Sequence, residues 1–80
     1  MKMEDKFFKT HDFGLATALT TQGYPVAYLD KNNPQQVEFL FERGNGIDET
    51  VQAYWQSELK VNAQIFFQNS KLLKNRIYSN

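Results

Sequence analysis

A catalytic centre needs titratable or nucleophilic side chains at spacings that a fold can bring together. This sequence has one histidine, His11. A histidine beside a helix start can act as a base, a ligand or a phosphate contact. No nucleophile stands at a motif-like spacing from it, and a metal site would need three or four ligands. His11 therefore reads as an exposed residue in the first turn of a helix. Glu38 and Glu42 lie on one strand four residues apart. At the rise of a strand that separates them by roughly 13 Å, too far to share a proton. Asp48 and Glu49 open a helix, where acids are stabilising for structural reasons alone. Gly44, Asn45 and Gly46 precede that helix, as in loops that cradle phosphate on backbone amides. No Lys-Ser or Lys-Thr pair follows, and the two acids would repel an anion, so the segment reads as a tight turn. No catalytic residue, metal site or cofactor is expected, and the chain does not read as an enzyme.

The remaining candidates are binding residues. Lys71, Lys74 and Arg76 fall near the end of the last helical segment, where bases complement the helix dipole. The same bases would make a phosphate-contacting edge for nucleic acid. Lys71 and Lys74 are helical neighbours, but Arg76 is rotated away, so such contact would be weak in a monomer. Leu40, Phe67 and Tyr78 are the candidates for a partner surface. Leu40 sits between two glutamates on the wet face of a strand, and Phe67 lies at the border of a helical apolar stripe.

Six elements must position these residues. Residues 7–9 read as a short edge strand or extended lead-in. A helix follows, with Thr10 as N-cap, Asp12 in the first turn and Gly23 as the left-handed residue past its end. Leu15, Ala16 and Leu19 form its apolar face. Residues 24–29 alternate aromatic and β-branched side chains, with Pro25 near the start. Asp30, Asn32, Asn33 and Pro34 mark a turn. In residues 36–42, Val37, Phe39 and Phe41 point one way, and Glu38, Leu40 and Glu42 the other. Ile47, Val51, Tyr54 and Trp55 form a helical stripe read as core, and Trp55 and the pair Phe66 and Phe67 become a partner patch if so small a domain cannot cover them all. Asn62 caps a last helix whose inward face is Ile65, Phe66, Leu72, Leu73 and Ile77. The order is (β)-α-β-β-α-α, an α+β fold in which an antiparallel hairpin is packed by helices on one face.

Composition bounds the rest. The chain has 80 residues, which suits a single domain over 1–80. A domain so short buries only about 60–65% of its unfolded surface, and seven Phe, four Tyr and one Trp supply bulk for the core. There is no cysteine, so no disulfide or thiolate chemistry, and a reducing, cytoplasmic compartment is the simplest expectation. The start is charged and no apolar run approaches the ~20 residues of a membrane span, so neither a signal peptide nor membrane contact is expected. Net charge is zero, against nucleic-acid or membrane binding through the overall field. The zero conceals a polarity. Residues 38–58 carry five acids and one base, a net of −4, and residues 59–80 carry four bases and no acid, a net of +4.

Asp12, Phe13, Leu15, Ala16 and Gly23, then Val37, Phe39 and Phe41, then Tyr54 and Trp55, then Phe66, Leu72, Leu73 and Lys74 form one pattern over most of the chain. It resembles a family of small bacterial and phage-associated proteins known only as a domain of unknown function. The resemblance implies an intracellular single domain from mobile-element or phage-linked neighbourhoods, and it implies no site residues. The expectation for function is a non-catalytic binding or adaptor protein. It would work through protein–protein contact, with a protein partner or with itself as a homodimer. The alternative is a nucleic-acid-binding accessory protein that uses the basic C-terminal helix.

Overall fold

Strand β3 (Glu38–Glu42) organises the molecule. Its Phe39 and Phe41 are buried, while Glu38, Leu40 and Glu42 alternate onto the other face. A computed structural model describes residues 6–33 and 35–79. Strands β1 (Phe7–Thr10) and β2 (Tyr28–Asp30) pair antiparallel with β3 on either side, giving the sheet order β1-β3-β2. The expected hairpin is thus joined by a third strand, and the lead-in at residues 7–9 is that edge strand. The register sets Lys9 and Tyr28 opposite Leu40, and Phe8 opposite Phe41.

Helix α1 (Phe13–Thr21) lies on the apolar face of the sheet. Leu15, Ala16, Thr17, Ala18 and Leu19 are all buried, because α2 (Ile47–Trp55) and α3 (Ala63–Tyr78) both pack chiefly on α1. The threonines that weaken α1 by propensity suit this position. The Thr17 hydroxyl donates to the Phe13 carbonyl at 2.9 Å, and the Thr20 and Thr21 hydroxyls each donate to the Thr17 carbonyl at 2.8 Å. Small polar side chains thereby satisfy themselves inside a helix buried on every side.

The order of elements and the α+β class agree with the sequence reading, but several details differ. Thr10 belongs to β1, and Asp12 is the N-cap: its carboxylate accepts from the Leu15 amide at 2.8 Å. Residues 24–29 yield only the last part of a strand. Tyr24 is taken up in closing α1, its amide donating to the Leu19 carbonyl at 2.9 Å, while the Gly23 amide donates to Thr20 at 3.1 Å. This pair of bonds requires left-handed backbone at Gly23, whose φ is 101°. Trp55, read as core, is 59% exposed. The inward face of α2 is Ile47, Val51 and Tyr54, and Trp55 is rotated off it at the end of the helix. Ile65 and Leu72, read as inward, are exposed. With α1 as its main support, α3 buries a narrow strip: Leu73 fully, Phe66 and Ile77 in part. Pro34 of the expected turn, the charged start at residues 1–5 and Asn80 lie outside the described residues. Among the described residues, no helix is long and apolar enough to cross a membrane.

Candidate functional site

His11 is exposed, as expected, but stands before the helix rather than in its first turn. Its Nδ1 lies 3.2 Å from the Val37 carbonyl and its Nε2 3.7 Å from the Glu38 carboxylate. These contacts tie the end of β1 to the start of β3. Among the described residues, no three His, Asp or Glu side chains group closely enough to hold a metal ion. A recess of about 510 Å³ beside the end of α1 is lined by Tyr24, Glu42, Arg43 and Asn45. Two of its polar side chains are occupied with structure, while Glu42 faces solvent. Arg43 pairs with Asp48 at 2.7 Å, and the Tyr24 hydroxyl donates to the Asn45 carbonyl at 2.6 Å. Residues 44–46 form the turn before α2 with left-handed backbone throughout.

Tyr54 has its pKa raised, first by burial and then by the Asp12 carboxylate beside its hydroxyl. A Cβ on Gly14 would stand 2.7 Å from that hydroxyl, so glycine at this position leaves the Tyr54 hydroxyl its place beside Asp12. Asp12 therefore has two roles, capping α1 and receiving Tyr54, and both are structural.

Helix α3 carries the candidate surface. The Asn62 side chain caps it, accepting from the Ile65 amide at 3.0 Å. At its other end Lys31, from the turn after β2, donates to the carbonyls of Arg76 at 2.6 Å and Ser79 at 2.8 Å. The helix presents two flanks beside its buried strip. On one, Phe67, Lys71, Lys74 and Tyr78 recur at i, i+4, i+7 and i+11, within about 60° of rotation. On the other are Ile65, Leu72 and Arg76. The expected partner residues Phe67 and Tyr78 thus share a flank with Lys71 and Lys74, while Arg76 lies about 160° away from Lys74. Lys71 Nζ sits 4.6 Å from the centroid of the Phe67 ring, and Lys74 Nζ 5.9 Å from that of Phe13. Both ammonium groups are held over aromatic faces.

Leu40 is not on this surface. It lies half-buried on the outer face of the sheet, where the rings of Phe7 and Tyr28 meet edge to face with centroids 5.6 Å apart. Trp55, for which the sequence reading preferred core over a partner patch, is a surface residue. Sequence reasoning missed the groove of about 430 Å³ that Trp55 lines with Leu59, Val61 and Phe66 between α2 and α3. The signal available for Trp55 was its place at the edge of the α2 stripe, eight residues from Ile47 and just before the helix ends. A second groove, of about 440 Å³, runs along the other flank of α3 past Pro25, Val26, Leu72 and Arg76.

A family model described as a domain of unknown function, DUF5659, matches residues 5–79. No curated protein matches the chain, and no solved structure does.

Proposed function

We propose that this chain, which belongs to the DUF5659 family, is a non-catalytic binding protein that works by protein–protein contact through α3. One observation carries the reading: Ile65, Phe67, Leu72 and Tyr78 on this one helix are between 42% and 83% exposed. They lie on two flanks of the helix, and the flank that carries Phe67 and Tyr78 leaves on the order of 300 Å² of largely apolar surface in water. That is the lower end of the patches that mark interaction sites on soluble proteins. An adaptor role inside the cell, in the mobile-element or phage-linked setting that the resemblance implies, fits a surface of this kind. The test is a photoreactive phenylalanine analogue at position 67, with the same probe at position 9, exposed on the outer face of the sheet, as control. Adducts to a protein from position 67 but not from position 9 support the reading. No adduct from position 67 overturns it.

A second reading is favoured by the placement of Lys71 and Lys74 beside Phe67 and Tyr78. Ammonium groups beside aromatic faces are what a nucleic-acid strand uses for phosphate contact and base stacking.

A further inference from the structure

We propose that the partner of α3 is a second copy of this chain, docked so that α3 of each protomer lies along α2 of the other about a two-fold axis near Trp55. The proposal rests on the protein-contact reading above and names its occupant. Its first support is charge. Lys60, Lys71, Lys74 and Arg76 carry the positive end of the sequence, and none of them pairs with an acid among the described residues. Glu49 on α2 and Glu58 just beyond it are exposed and equally without an ion-pair partner among the described residues. The α2 and α3 regions thus carry opposite charges that do not meet among the described residues. A two-fold arrangement brings each into contact with its complement twice, because an isologous interface repeats every contact.

The second support is apolar surface at the end of α2 that Glu58 follows. Trp55 at the end of α2 is 59% exposed, and it lines the groove between α2 and α3 with Phe66. On α3, Phe67 occupies the same flank as the two lysines. A standard interface needs about 800 Å² from each partner. Phe67 and Tyr78 on the lysine flank of α3, with Trp55 at the end of α2, leave on the order of 450 Å² in water, and the charged side chains around them form the rim.

Sedimentation of the full chain across a concentration series, at low and high salt, tests this. Trp55 is the only tryptophan, so its emission reports directly on the proposed contact. The expected result is a reversible dimer whose emission shifts to shorter wavelength as it forms, and whose Kd weakens about tenfold or more in 0.5 M salt. Lys71→Glu with Lys74→Glu, and separately Glu49→Lys with Glu58→Lys, should each leave a folded monomer. Mixed in equal amounts, the two variants should associate again. Because all four side chains are exposed, each variant should melt close to the parent, and Trp55→Ser offers an uncharged check on the same contact. A chain that sediments at its monomer mass of 9.4 kDa at every concentration overturns the proposal. So does a dimer that neither charge-reversed variant weakens and whose Trp55 emission stays solvent-like. If the chain is monomeric while a probe at position 67 still captures a different protein, the binding reading stands and only the second copy is excluded.

Discussion

At the scale of single residues, exposure separates aromatics that hold the fold from aromatics that do not. Phe39 and Phe41 are buried against α1, and truncating either to alanine should cost about 3–5 kcal/mol. That is most of the stability of a domain this small. Trp55→Ala should cost less than about 1 kcal/mol, since the side chain is mostly in water. Urea unfolding of the three variants checks the contrast. Tyr54 offers a finer test. Its pKa is raised in the folded chain, so the folded state holds its proton more tightly than the unfolded state does. The stabilisation is complete below the ordinary phenol pKa of about 10 and is lost as pH rises through the folded value. Stability measured from pH 8 to 11 should fall in the parent and fall less in Tyr54→Phe. Gly14 is coupled to the same hydroxyl. Gly14→Ala should destabilise the parent by about 1 kcal/mol or more, because the new Cβ would meet Tyr54. In the Tyr54→Phe background it should be neutral or stabilising, as alanine recovers some of the helix propensity that glycine lacks. Additive effects in that double-mutant cycle would show that the contact is not what excludes a side chain at Gly14.

At the scale of elements, what was legible depended on how many neighbours an element packs against. β3 was read correctly in direction and faces because its alternation is complete over five residues and both sheet neighbours enforce it. The ends of α1 and α3 were legible where a side chain or a glycine does the capping, at Gly23 and Asn62. The helix faces were less so. Periodicity identifies an apolar stripe but not what covers it, so Ile65, Leu72 and Trp55 were assigned to a core that on α3 takes in Leu73 and Ile77, with Phe66 half-buried beside it. The candidate site was legible in part: Phe67, Tyr78 and the lysines are where helical spacing puts them, and Trp55, ranked first as core and second as partner surface, is exposed. The contact of Lys31 with the end of α3 was not legible at all, because it joins residues 45 positions apart through a turn. That contact carries its own prediction. The ammonium group meets two carbonyls at the negative end of the helix, so Lys31→Met should cost about 0.5–1 kcal/mol. Amide exchange should rise in residues 75–79 and stay unchanged in β3. Uniform loss of protection would mean that Lys31 supports the whole fold and not the helix end.

At the scale of the whole molecule, the Cα atoms span 40 by 33 by 18 Å, and the short dimension is that of a sheet with a helical layer on it. So thin a body has little interior, which is why α3 keeps large side chains in water. The same shape bears on nucleic-acid binding. With zero net charge there is no long-range field to draw a polyanion in, so local contact must supply the affinity. On the exposed flank of α3 that contact is Lys71 and Lys74, with Arg76 facing elsewhere on the helix. Two phosphate contacts give a salt dependence with a slope of only about −1.4 to −1.8, far from that of proteins that neutralise six or more phosphates. Stacking on Phe67 and Tyr78 could add roughly 1–3 kcal/mol per base. Lys71, however, already covers a face of the Phe67 ring at 4.6 Å and would have to be displaced. The balance favours no stable complex. Fluorescence anisotropy with labelled single-stranded and duplex 20-mers at physiological salt should show no binding by the isolated chain at micromolar concentrations. A salt-sensitive complex of micromolar affinity that disappears in Lys71→Glu with Lys74→Glu would place nucleic acid ahead of protein as the partner of α3.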